Sequence, residues 1–180
     1  LSLGYSTGNG NGPFGLGWSL SIPGVTLKTS KGIPRYQGED VYVLSGAEDL
    51  VHVSGDTTLS QYRPRTEGLF ARIYHHHEVS PANDYWEVQS KDGLVSYYGT
   101  KRPDAAPASW RDPAVIANPD LDKRDHIFAW KLTQTTDPFG NRIIYEYERD
   151  LREEGPHQWD QLYPKHIRYV DYTAQGETSY

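Results

Sequence analysis

The chain reads as an all-β protein, mainly antiparallel, made of short strands and hairpins with two long polar loops. Three observations predict this. Clusters of Gly, Pro, Asn and Asp interrupt the 180 residues at short intervals. Between them, apolar and polar residues alternate in brief runs, the period of a half-buried strand. No stretch keeps a helical apolar period for more than about two turns. Composition agrees, because the hydrophobic fraction is only 36% and the load falls on 14 Tyr, 5 Trp and 4 Phe. Tyrosine suits a pleated surface where the ring packs and the hydroxyl stays wet.

Strands are expected at residues 1–6, 16–22, 25–30, 40–45, 49–54, 58–63, 69–78, 84–90, 94–100, 126–136, 142–149 and 164–173. The opening segment Gly10-Asn-Gly-Pro-Phe-Gly-Leu-Gly-Trp18 is dense in special-backbone residues. It runs into the alternating Trp18-Ser-Leu-Ser-Ile22, where a phosphate-binding loop would open a helix and carry a Lys. We read it as a β-corner, in which Gly15 and Gly17 permit a strand crossing that bulkier residues could not make. A tight turn at Lys91-Asp-Gly93 joins the strands around Trp86 and Tyr97. Asp137-Pro-Phe-Gly-Asn141 joins a strand with Phe128, Trp130 and Leu132 on one face to another with Ile143, Tyr145 and Tyr147 on one face. Residues 101–125, with Pro103, Pro107, Pro113 and Pro119, are expected to form a long loop with a short helical turn near Asp112–Ile116. Residues 150–162 read as a second polar insertion.

Composition removes several function classes. With 18 basic and 24 acidic residues the formal charge is −6, which argues against a nucleic-acid footprint. The absence of Cys excludes disulfides, Cys-based zinc sites and thiol catalysis. No apolar run approaches the ~20 residues of a helical membrane span, and no signal peptide is visible. The chain contains no Met, and we expect it to be a fragment of a longer protein.

Several polar groups invite a chemical reading. In His75-His76-His77, strand alternation allows only His75 and His77 to share a ligand, and the expectation is a solvated strand end. Asn118, Asp120, Asp122 and Asp125 resemble a cation loop, but Lys123 and Arg124 stand where a calcium loop needs Gly and its neighbours, so an Asp-rich turn is expected. Glu153-Glu154, and Asp84 with Glu87, are carboxylate pairs of the kind glycoside cleavage uses, without a spacing that fixes their separation. No Gly-x-Ser-x-Gly elbow is present, and His52, His126, His157 and His166 read as polar sheet residues. Tyr97, Tyr98, Tyr145, Tyr147, Tyr169, Tyr172 and Trp159 could form a sugar-stacking face, or pack against neighbouring parts of a larger assembly, and the second reading is preferred. No residue is assigned as catalytic, cofactor-binding or metal-ligating.

The stretch Gly10–Leu20 resembles the start of SpvB-type proteins and of the B component of bacterial insecticidal toxin complexes. Lys31–Tyr36, Leu44–Val51 and Tyr62–Ile73 are similar to the same family and occur in its order, while Asp137–Asn141 with Tyr145-Glu-Tyr147 resembles a Tyr-Asp (RHS-type) repeat unit. The resemblance implies an SpvB-type β region over 1–136 and a Tyr-Asp-repeat-like β segment over 137–180. It implies a secreted, bacterial, non-catalytic wall segment of a hollow shell enclosing a toxic payload. The implied partners are the C component with its payload, and the A component through the parent protein; no cofactor is implied. Some SpvB-type proteins carry a separate ADP-ribosyltransferase domain with a Glu-x-Glu turn. Glu146-Tyr-Glu148 has those letters, but it sits in a strand where Tyr147 should pack and both Glu should face solvent. Rival readings are a carbohydrate- or receptor-binding β-domain, and part of a glycosidase or of the transferase itself.

Overall fold

The computed structural model describes residues 3–12, 14–30, 32–45, 48–66, 68–78, 83–123, 125–155 and 157–171. Expectations for residues 1–2 and 172–173, Tyr172 included, lie outside these.

The N-terminal corner consists of two small ribbons. β1 (Leu3–Tyr5) and, further along, β2 (Asn11–Gly12), β3 (Gly15–Leu16) and β4 (Trp18–Leu20) pair antiparallel as β1–β4 and β2–β3. The single strand expected over 16–22 is therefore split at Gly17, which takes φ 82°. A Cβ there would lie 2.5 Å from Tyr5 Cε2 and 3.1 Å from the Ser6 carbonyl oxygen. Asn9 Nδ2 holds the crossing by donating to the Gly17 carbonyl and to Ser19 Oγ, both at 3.1 Å. Tyr5 and Trp18 pack alongside with ring centres 5.2 Å apart.

The chain then runs as an antiparallel meander through β5 (Gly24–Leu27), β6 (Tyr42–Leu44), β7 (Glu48–Gly55), β8 (Leu59–Pro64), β9 (Arg72–Glu78), β10 (Asn83–Gln89) and β11 (Val95–Tyr98). The β10–β11 turn is the expected one, with Gly93 at φ 82°. After the long loop come β12 (Val115–Ala117), a 3-10 turn at Leu121–Lys123, and β13 (Ile127–Thr136). β13 closes the sheet on itself: Ala129–Lys131 pair with β5, and Leu132–Thr136 pair with β11. The result is a closed eight-stranded barrel, β5 to β11 plus β13, with every neighbour antiparallel. A barrel of this size has an interior just wide enough for side chains to fill.

Side chains on alternate positions fill it. Val25 faces Leu44 and Trp130 across the strand pairs, Trp86 faces His75 and Tyr98, and Val88 faces Ile73. Val25, Ile73 and Trp86 have no solvent exposure. The Trp86 ring meets Tyr42 edge-on at 4.8 Å and Trp130 at 5.9 Å, the offset geometry that aromatic pairs favour.

Two expectations fail here. The helical turn near Asp112–Ile116 is instead the strand β12, paired with β13. Asp112 caps the preceding turn by accepting from the Ala114 amide at 2.8 Å, and the β-branched Val115 and Ile116 continue as strand. The polar insertion at 150–162 is instead the outer half of a hairpin formed by β14 (Arg142–Glu154) and β15 (His157–Asp171). Its outer half is polar because it projects from the barrel, and ion pairs such as Arg149–Asp160 take the place of a core.

Candidate functional site

The barrel has one apolar end and one polar end. At the apolar end lie Leu44, Ile73, Val88 and Leu132, all buried. At the other, β9 and β10 bring His77 opposite Asp84 and His75 opposite Trp86. This end opens into a cavity of about 800 Å³.

Asp84 is the hub. Its Oδ1 accepts from Trp130 Nε1 at 2.8 Å and lies 2.8 Å from His75 Nε2, so the His75 tautomer carries its proton on Nε2. The His75 ring stacks on Trp86 with centres 4.1 Å apart and planes 3° from parallel. His75 is only 5% exposed, which corrects the expectation of a solvated strand end. A histidine is tolerated in this core because Asp84 satisfies one nitrogen while both ring faces pack. His77 shares its face, as alternation requires, and Nε2 lies 3.0 Å from Ser60 Oγ. Burial is the main cause that lowers the affinity of His77 for a proton, so it stays neutral at pH 7. Ser60 and His77 form a hydroxyl–imidazole contact, yet among the described residues no carboxylate bonds the second ring nitrogen of His77. Among the described residues no group therefore orients His77 for nucleophilic catalysis. No group of three or more His, Cys, Asp or Glu able to hold a metal ion occurs among the described residues.

The remaining sequence candidates separate. Asp84 points into the barrel end while Glu87 lines a groove on the outside, so the two share no site. Of Glu153-Glu154, only the backbone pairing in the hairpin lies within what the structure describes. Asn118 and Asp120 form successive Asx turns, accepting from the Asp120 and Asp122 amides at 2.9 and 3.0 Å, which is the expected Asp-rich turn. Glu146 pairs with His166 and Arg168, each at 3.1 Å, and Glu148 with Lys165 at 3.7 Å. Tyr147 packs inward and donates to the Leu132 carbonyl at 2.7 Å. The Glu146-Tyr147-Glu148 letters are thus a strand pattern. His126 stacks on Tyr36 at 4.5 Å, His52 meets Tyr62 edge-on at 5.4 Å, and the His157 side chain lies outside the described set.

The expected aromatic face is only partly assembled. Tyr97, Tyr145 and Tyr147 meet in a groove of about 860 Å³ between barrel and hairpin, joined by Tyr85, which sequence reading missed. Tyr98 is buried in the barrel, Tyr169 is exposed on β15, and Trp159 lies 3.4 Å from Asp150. The signal for Tyr85 was its two-residue offset from Glu87 on the outer face of β10.

Comparison with known proteins gives this architecture a relative. Residues 1–179 match the family model described as SpvB, Salmonella virulence plasmid 65kDa B protein. A mono(ADP-ribosyl)transferase SpvB of Salmonella typhimurium is 30% identical over 175 residues, covering 86% of this chain and 27% of that protein. The chain therefore spans about a quarter of the length of the curated relatives it matches. Among solved structures, the N-terminal domain of effector protein SpvB from Salmonella typhimurium aligns at TM-score 0.77 and 24% identity, covering 98% of this chain and 60% of that one. The TcdB2-TccC3 structure aligns at TM-score 0.75 and 26% identity, over 98% of this chain and 9% of that one. The transferase is matched in its N-terminal region, not in its catalytic part. Because the family model matches residues 1–179, nearly all of the sequence, this chain belongs to the SpvB family.

Proposed function

We propose that the chain is a non-catalytic, structural part of a toxin-complex B component. Barrel and hairpin form a piece of shell wall that encloses a toxic payload and helps deliver it. The observation that carries this reading is the sheet itself. The polar hub at Asp84 is tied to its neighbours, while the 15-residue strand β15 ends the sheet with an outer edge that pairs with no strand among the described residues. An unpaired edge of that length is a template for further strands, as a wall requires. Residues 137–180 would begin a Tyr-Asp-repeat-like segment, and the C component with its payload, and the A component, would be reached through the parent protein, outside the bacterial cell. The similarity to TcdB2-TccC3 supports this reading.

The test is transferase activity. The purified chain, incubated with labelled NAD and cell extract, is expected to transfer no label to protein; transfer by the chain would contradict the proposal. A second reading rests on the tyrosine groove, whose size and aromatic lining suit a sugar. A glycan array probed with the chain, and with Tyr97→Ala, distinguishes it: saturable binding lost in the variant would favour recognition over wall-building.

A further inference from the structure

The cavity at the polar end of the barrel has a chemistry of its own. Its rim and walls carry five carboxylates, those of Asp40, Glu78, Asp84, Asp122 and Asp125, and among the described residues no Lys or Arg lines it. The charge comes from separate elements: the loop before β6, the end of β9, the start of β10 and the turn before β13. Asp40 is held in place by the amides of Arg35 and Tyr36, at 3.1 and 2.6 Å, and among the described residues it makes no ion pair. Asp84 uses Oδ1 for both of its internal bonds, and its Oδ2 has no hydrogen-bond partner among the described residues.

The apolar lining is aromatic. Tyr42 and Tyr62 lie edge-to-face with ring centres 5.6 Å apart, and both line the cavity. Aromatic faces attract a cation that comes within about 6 Å, and carboxylates supply charge-assisted hydrogen bonds to its N–H groups. His77, kept neutral by burial, adds no competing positive charge. The volume of about 800 Å³ is that of a site for an organic molecule or a side chain, far beyond a single metal ion, and the described residues offer no metal-ligating cluster.

We infer that the open end of the barrel is a binding site for an organic cation, a guanidinium or alkylammonium group, seated on Tyr42 and Tyr62 and held by Asp84 within a ring of carboxylates. The planar guanidinium suits it best, because it stacks on rings and forks onto carboxylate at once. The site is independent of the proposed wall function, since it lies at the open polar end of the barrel and leaves the β15 edge unused.

The group could arrive on a peptide or as a small amine, and the experiment separates these. The full chain is titrated with acetyl-Gly-Arg-Gly-amide, with its citrulline counterpart, and with agmatine. The readout is the NMR resonance of the Trp130 indole N–H, which donates to Asp84 and so reports locally. The Arg peptide or agmatine is expected to shift this resonance saturably, with the citrulline peptide roughly tenfold weaker or more because it keeps shape but lacks charge. Shifts by both ligands, or by agmatine alone, support the site and name the source. Asp84→Asn should weaken binding, but that residue also supports the core. The rim variant Asp122→Asn/Asp125→Asn removes two charges without touching the hub, and its affinity should fall several-fold with an unchanged Tm. Equal binding of the Arg and citrulline peptides, no shift by any ligand up to about 10 mM, or unaltered affinity in the rim variant would overturn the inference.

Discussion

Asp112 shows how one buried carboxyl can set a pH response. It is 7% exposed, and its oxygens accept from the amides of Thr100 and Ala114. Burial raises its pKa to about 6, against the opposing pull of those amides and of Arg149. The sign follows from linkage. The folded carboxyl holds its proton more tightly than an unfolded one, so its contribution to stability is full below about pH 4 and is lost as pH rises through about 6. The loss is on the order of 3 kcal/mol. Urea denaturation between pH 4 and 7 should therefore show a steeper fall for the native chain than for Asp112→Asn, and parallel curves would contradict the assignment. None of this was legible in the sequence, where Asp112 was one acid among 24. Its burial depends on Thr100 and Arg149 arriving from two other segments. His75 was misjudged for the same reason. Alternation correctly paired it with His77, but only closure of the barrel turns that face inward.

At the scale of elements, two joints hold the molecule together. The first is the N-terminal crossing. Gly15 and Gly17 both take positive φ, at 94° and 82°, but their surroundings differ. A Cβ at Gly15 meets nothing within 4 Å, whereas at Gly17 it would overlap Tyr5. Gly15→Val should thus cost about 1–2 kcal/mol of backbone strain, and Gly17→Val more, since strain and collision add. Thermal unfolding followed by circular dichroism checks the order; unchanged transitions in both would refute the crossing. Here the sequence was informative, because so many glycines in one corner have few structural uses. The second joint is the buried pair Arg149–Asp160, at 2.6 Å, with side chains 15% and 5% exposed. Arg149 also donates to the carbonyls of Asp112 and Val115, tying the hairpin to β12. Burial lowers the Arg149 pKa and raises that of Asp160, so desolvation opposes the pair on both sides. Arg149→Met should destabilise by about 3–5 kcal/mol by stranding Asp160, while Arg149→Met/Asp160→Leu should recover much of it. A double variant as unstable as the single one would contradict this account. Sequence reading took this segment for a loop because charge replaces the apolar alternation by which strands are recognised.

For the whole molecule, strand content and hairpin order were readable locally, from turns such as Lys91-Asp-Gly93 and Asp137–Asn141. Closure was not. It depends on β13 pairing with β5 through Trp130 and Val25, more than a hundred residues apart, and with β11 through its other half. On the proposed reading, the closed barrel is a base from which the β14–β15 hairpin extends, with an outer edge that pairs with no strand among the described residues. The central claim is that this edge builds wall. The most direct measurement is protease protection of the payload in the assembled parent complex, with and without residues 1–180. The account predicts that deletion exposes the payload or prevents assembly. Full protection after deletion, with loss only of target-cell binding, would contradict it and make the segment a recognition domain.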